Sequence, residues 1–245
     1  MAHDPTVAAL VALHDDLARQ GPGSDATTRH LLSLAGQLPP RPRVLDIGCG
    51  PGRSPLVLAQ AGAEVTAVDL HQPYLDALAR TAADRGLAVH TVRASMADLP
   101  FPDGGFDLIW AEGSAYFIGF DAALRSWRRL LAPGGRLVVT ECEWSTDSPS
   151  PQARAFWEQP YPLRTRERNI AAAHAAGYAV AAQHPLPDGD WFEEYYTPLS
   201  QRARAADLAA PGMREAVAAT LRENTTRSTP ATSCTRRMTR RRTRP

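Results

Sequence analysis

Two carboxylates and three glycines carry the chemistry that can be read first in this chain. Asp46 lies in a short apolar run, Val44-Leu45-Asp46-Ile47, that leads straight into Gly48-Cys49-Gly50-Pro51-Gly52. Glycines at every second position remove side chains from a tight turn and let a ligand approach the backbone. The spacing is G-x-G-x-G, not the G-x-G-x-x-G of a pyrophosphate-binding turn. An acid placed just before the turn repels a pyrophosphate and attracts an ammonium group. Asp69 falls 21 residues after Gly48, at the end of the next apolar run, where a carboxylate can accept both hydroxyls of a ribose. Together these residues describe a site for a positively charged nucleoside, and they weigh against a nicotinamide dehydrogenase.

Such a site needs strands that end along one edge of a parallel sheet. Apolar, partly β-branched runs predict strands over 43–47, 64–68, 88–93, 106–110, 136–141 and 178–184. Helical spacing predicts helices over 4–19, 26–37, 53–61, 72–85, 120–131, 149–160, 165–176, 191–208 and 213–223. Asp4-Pro5 and Ser24 or Asp25 stand where helix caps belong. The alternation predicts an α/β, Rossmann-like doubly wound sheet. Four stretches follow: N-terminal helices (1–38), the core (39–187), a helical addition (188–223) and a basic tail (224–245).

Composition bounds the function. The 245 residues suffice for one α/β domain with additions, and 44% hydrophobic residues suffice for a full core. All 27 basic residues are arginine. Seven of them lie after Glu223 with no acid, so residues 1–223 carry 20 arginines against 26 acids, a net charge of −6. Three scattered cysteines and the absence of metal-ligand spacing predict no disulfide framework and no metal. No secretory signal or membrane span is evident, so a cytoplasmic protein is expected. The Thr-, Ser- and Arg-rich tail has no alternating apolar pattern and is expected to be disordered. Its abrupt change of composition would also fit an altered reading frame.

The segment Val44 to Gly52 resembles motif I of the class I S-adenosylmethionine-dependent methyltransferases. Val68-Asp69, Leu99-Pro100-Phe101, Phe106-Asp107-Leu108-Ile109-Trp110 and Leu130-Leu131-Ala132-Pro133-Gly134-Gly135-Arg136-Leu137 match in order and spacing, so the resemblance covers about 40–145. Residues 19–24 and 191–199 also resemble a bacterial subgroup of these enzymes. The resemblance implies S-adenosylmethionine as cofactor and S-adenosylhomocysteine as product. It implies that Asp46, Gly48 and Gly50 hold the methionine part, that Asp69 holds the ribose and that Leu70 flanks the adenine. Ser95 and Met96 stand where the family places an acid and its neighbour against the adenine; serine in place of the acid is a departure. Glu112 stands where sulfonium and acceptor meet, and is the candidate base. Gln20 to Ser24, with Gln20 and Gly23, is a candidate lid over the cofactor.

The family ordinarily adds a seventh, antiparallel strand, and none is evident after Leu221; the sheet is therefore expected to lack it. Tyr116, Trp144, Tyr161, Trp191 and Tyr195 could line an acceptor pocket, since such pockets are mostly apolar and aromatic. The expected acceptor is a small molecule and the expected assembly a monomer or homodimer. A nucleic-acid or protein acceptor, and a cofactor-binding protein without turnover, are the alternatives. RNA is disfavoured because the body is acidic and the tail has no aromatic residue for base stacking.

Overall fold

The computed structural model describes residues 4–15, 17–158, 161–227 and 231–240. Eight strands form one sheet: β1 Arg43–Ile47, β2 Glu64–Asp69, β3 Val89–Arg93, β4 Phe106–Glu112, β5 Leu131–Trp144, β6 Arg164–Thr165, β7 Tyr178–Pro185 and β8 Ala231–Arg240. The order is β3-β2-β1-β4-β5-β8-β7, with β6 beside the end of β5. β1 to β5 run parallel, in two windings outward from the β1–β4 pair. This crossing from one half to the other places the carboxyl ends of β1 and β4 side by side, and a ligand crevice opens there.

Strand alternation sorts the core onto two faces. Leu45, Ile47, Ile109, Leu137 and Val139 pack with Phe120, Leu124 and Trp127 of helix α5 (Phe120–Trp127) and with Tyr178. Val44, Leu108, Trp110 and Val138 pack with Leu31 of α2 (Asp25–Leu34) and Leu58 of α3 (Arg53–Gln60). The helix caps are as expected. Asp4 accepts from Thr6 N at 2.8 Å to start α1 (Pro5–His14), and Ser24 accepts from Thr27 N at 3.1 Å to start α2. Pro133-Gly134-Gly135 forms no separate turn; β5 starts earlier than expected, at Leu131, and a register shift opposite Phe106–Leu108 absorbs the three residues.

The C-terminal third departs most from expectation. The antiparallel strand expected to be absent is present as β8, paired to β5 from Trp144↔Ala231 to Arg136↔Thr239 and to β7 on its other side. An apolar alternation is not needed by a strand flanked on both sides, because main-chain hydrogen bonds hold it. Thr232, Thr235 and Thr239 also favour extended backbone. The expected disordered tail is thus helix to Arg227 and strand over 231–240, and the core sheet reaches beyond the 39–187 bounds. The expected ends at 159–160, 228–230 and 241–245 lie outside the described residues.

Helix 191–208 is three pieces: α8 Asp188–Trp191, a π-helical turn Phe192–Tyr196 and α9 Thr197–Ala205. They pack with α1 and α10 (Met213–Arg227) in a second core of Leu13, Leu17, Trp191, Tyr195, Tyr196 and Leu199. This layer ties residues 1–38 to residues 188–227.

Candidate functional site

The glycine turn is built from β1 outward. Gly48 N and Cys49 N both donate to Val68 O, at 2.8 and 3.0 Å, so the chain leaving β1 is pinned against β2. Gly48 has φ +74°, and a Cβ there would lie 2.5 Å from Ser114 Cβ. Both the backbone conformation and the space demand glycine. Ser114 is held in turn by its hydroxyl, which donates to Ile47 O at 2.5 Å. Gly50 N donates to Asp69 Oδ2 at 2.9 Å, and His71 N donates to Asp69 Oδ1 at 2.9 Å. Asp69 is therefore oriented by two backbone donors, each of its oxygens keeping acceptor capacity for a ligand.

Asp46 is 2% exposed, and its Oδ2 is buried with no hydrogen-bond partner among the described residues. Burial pushes the Asp46 carboxyl well above the usual carboxylate range; the charges of Glu112 and Asp69 push the same way, against Arg19. A buried acid with an orphaned oxygen at a strand's carboxyl end has the chemistry to receive a cationic group. Burial, Asp46 and Asp69 likewise push the Cys49 thiol up, which keeps it protonated and fits a turn filler, not a nucleophile.

Glu112 ends β4 but does not point freely into the crevice. Its Oε2 accepts from Arg19 Nη1 at 2.9 Å; its Oε1 accepts from Thr28 Oγ1 at 2.8 Å and Trp110 Nε1 at 2.9 Å. Arg19 and Glu112 are 7% and 9% exposed, so this is a buried ion pair. Arg19 Nη2 also donates to Thr28 Oγ1 and to Asp25 Oδ1, and Arg53 at the start of α3 clamps Asp25 with bonds of 3.1 and 2.8 Å. A carboxylate bonded three ways has little capacity left to take a proton from a ligand. Arg19, Thr28 and Ser114 were not singled out from the sequence. Their decisive partners lie 93, 84 and 67 residues away (Arg19–Glu112, Thr28–Glu112 and Ser114–Ile47), which no local pattern carries.

The segment expected as a lid passes beside the glycine turn. Gln20 Cγ is 3.5 Å from the Cβ position of Gly50, and its amide donates to His14 O at 2.8 Å. Gly23 N donates to Asp190 O at 3.2 Å, and a Cβ on Gly23 would meet Glu112 Oε2 at 3.2 Å and Arg19 Nη1 at 3.3 Å. Leu70, 60% exposed, presents an apolar side chain just past Asp69. Met96 Cε reaches within 3.3 Å of the Gly48 Cβ position, and Met96 O accepts from Trp127 Nε1 at 2.9 Å. The Ser95 hydroxyl accepts from Ala97 N at 3.2 Å and so closes a turn.

The aromatic residues divide. Tyr116 stacks on Phe117 at 4.2 Å and lies 5.8 Å from the Tyr161 ring, half-exposed at the crevice. Burial raises both tyrosine hydroxyls far above their ordinary range. Trp144 is half-buried at the end of β5. Trp191 is turned into the second core, stacked on Tyr196 with centroids 6.1 Å apart. Tyr195 is buried beside it, its hydroxyl 3.0 Å from His14 Nε2.

Known proteins fit this geometry. Residues 44–135 match the model of a methyltransferase domain. Demethylmenaquinone methyltransferase of Thermus thermophilus is 42% identical over 116 residues, 46% of this chain and 52% of that protein. The chain spans about half the length of the curated relatives it matches. Among solved structures, the [4+2]-cyclase SpnF superposes with a TM-score of 0.72 at 23% identity, over 97% of this chain and 93% of that one. Geranyl diphosphate methyltransferase in complex with SAM superposes with a TM-score of 0.65 at 22% identity, over 89% and 85%. The methyltransferase-domain match is confined to residues 44–135, and the sheet has the Rossmann-like order of the class I methyltransferases. The matched segment contains the glycine turn, Asp69 and Glu112.

Proposed function

We propose that the protein transfers a methyl group from S-adenosylmethionine to a small-molecule acceptor. The observation that carries this is the buried, orphaned Asp46 Oδ2 beside a glycine turn and a ribose-competent Asp69. In this reading Asp46 takes the cofactor's ammonium group, Asp69 its ribose hydroxyls and Leu70 one face of its adenine. The cofactor supplies a methyl group on a positively charged sulfur, so the protein need not supply an electrophile. Its work is to align the acceptor atom ~3–3.5 Å from the methyl carbon and to exclude water. Gln20 and Gly23 cover the turn for that purpose. Glu112 serves by holding Arg19, and with it the lid, not as a base. Tyr116, Tyr161 and the half-buried Trp144 suit a partly apolar acceptor.

Calorimetry tests the cofactor: S-adenosylmethionine and S-adenosylhomocysteine should bind and NAD should not. Product mass with deuteromethyl cofactor tests transfer, against 1,4-naphthoquinol, catechol, a glycine-terminated tripeptide amine and malonyl-N-acetylcysteamine. NAD binding, or no affinity for either adenosyl ligand, would sink the proposal. A second reading, cofactor binding without methyl transfer, draws on the likeness to a cyclase and on the absence of a free base at Glu112. Tight cofactor binding with no methylated product from any acceptor would favour it.

A further inference from the structure

We propose that a cavity outside the amino ends of β4 and β5 is a binding site for a phosphate-bearing anion of two or more negative charges. It lies at the opposite end of the sheet from the glycine-turn crevice, and it stands apart from the methyl-transfer reading.

Its arginines come from one short stretch. Arg125, Arg128 and Arg129 lie three and four residues apart, at the end of α5 and in the 3₁₀ turn Arg128–Leu130 that follows, so they share one face. With Asp103, Gly104 and Pro133 they line a cavity of about 430 Å³, a size ordinary for small-molecule sites. Gly104 stands just before β4 and Pro133 near the start of β5, whereas Asp46 and Asp69 stand toward the carboxyl ends of β1 and β2. The lining holds three cations and one acid, a net charge of +2, while residues 1–223 as a whole carry −6.

Two of the three guanidiniums are held in place with donors left over. Arg129 Nη1 donates to Phe101 O at 2.7 Å and to Asp103 Oδ1 at 2.9 Å, and its Nη2 donates to Leu99 O at 2.8 Å. Its Nε–H and one Nη2–H remain. Arg128 lies over the turn that enters β7. A Cβ on Gly177, where φ is +82°, would meet Arg128 Nε at 2.9 Å and its guanidinium carbon and Nη2 at 3.1 Å, so glycine there makes the room it occupies. Neither Arg125 nor Arg128 has an ion-pair partner among the described residues. Asp121, whose carboxyl feels Arg125, gives both its oxygens to Arg164 at 2.8 Å. The carboxyl end of a helix attracts positive charge, but only as about half an elementary charge. Three guanidiniums exceed that, and they repel one another until an anion neutralises them. Each presents a planar fork of N–H donors that matches phosphate oxygens. A phosphate offers three or more oxygens to such forks, and a single carboxylate two.

Calorimetry on the full chain, in low-salt buffer free of phosphate and sulfate, tests the site with inorganic pyrophosphate as the probe. Pyrophosphate should bind with a Kd below about 1 mM, and about 10-fold or more tighter than the tricarboxylate tricarballylate. Arg125→Gln and Arg128→Gln should each weaken it by about 10-fold or more, the loss of a charge-assisted bond. Arg80→Gln removes the same charge from an exposed position on the helix Gln72–Asp84, outside the cavity, and should leave the affinity within about twofold. Arg125 is exposed, so Arg125→Gln should keep wild-type melting and remains decisive even if Arg128→Gln does not fold. Saturating S-adenosylhomocysteine should leave pyrophosphate affinity unchanged; a chain that binds pyrophosphate but no adenosyl ligand would sink the methyl-transfer reading and leave this one standing. No pyrophosphate binding below about 1 mM, equal losses in Arg80→Gln and Arg125→Gln, displacement of pyrophosphate by S-adenosylhomocysteine, or equal affinity for tricarballylate would each overturn it.

Discussion

The two halves of the molecule, the glycine-turn crevice and the second helical core, are built by opposite means. Around Asp46, the residues that matter lie within one strand-turn-strand stretch, with Gly48 N bonded to Val68 O at 2.8 Å and Gly50 N to Asp69 Oδ2 at 2.9 Å. Around Tyr195, His14 comes from 181 residues earlier, and Tyr116, Cys142 and Glu223 come from three further elements. A locally encoded half tolerates wide change elsewhere in the chain. A half assembled from distant elements can be altered by a change in any of them. The N-terminal segment joins the two, since Arg19 ties it to Glu112 at the end of β4.

That junction offers the sharpest way to break the contrast. Arg19→Ala leaves Glu112 buried and unpaired, so we expect a loss of about 3–5 kcal/mol of stability and weaker cofactor binding, read by denaturant melts and calorimetry. If only the N-terminal segment loosened, with global stability intact, the two halves would be less coupled than the ion pair indicates. Gly48→Ala confronts Ser114 at 2.5 Å in a left-handed conformation and should cost about 2–4 kcal/mol, read in the same melts. Asp46→Asn removes the charge without changing shape. It should weaken S-adenosylmethionine by roughly 10- to 100-fold, about 1.4–3 kcal/mol, while leaving the apo protein at least as stable, because a buried acid is replaced by a neutral amide.

The Asp46 carboxyl also predicts a pH dependence. Its folded-state pKa is raised above the unfolded value, chiefly by burial. Its contribution to stability is present below the unfolded value and is lost as pH rises through the folded one. The apo melting temperature should therefore fall over that window. Cofactor affinity should rise over the same window, because the ammonium group needs the carboxylate. Calorimetry in buffers of different ionisation enthalpy should show proton release on binding. The smallest effect is expected in the packing of the second core: Tyr196→Phe deletes a 2.8 Å bond to Glu223 and should cost about 1 kcal/mol, with cofactor affinity unchanged.

How much was legible followed the same division. The parallel sheet, the helix caps at Asp4 and Ser24 and the glycine turn could be read from residue types, because each depends on neighbours a few residues away. β8 was missed because pairing on both sides replaces the apolar alternation that marks an independent strand. Glu112 was read as a base because its type and place suited one; Arg19, Thr28 and Trp110 engage it, and only Trp110 is near in sequence. Trp191 was grouped with the pocket because an α-helical repeat was assumed, and the π-helical turn swung it into the core.

By itself, then, the sequence determined the class of fold and the kind of ligand its first turn can hold, since backbone sterics and a buried charge act over a few residues. Tertiary structure alone decided which carboxylate is engaged and which remains orphaned, where the last strand lies and which tyrosine meets which histidine. Those outcomes depend on desolvation and on contacts between groups brought together only when the sheet and its second helical layer close.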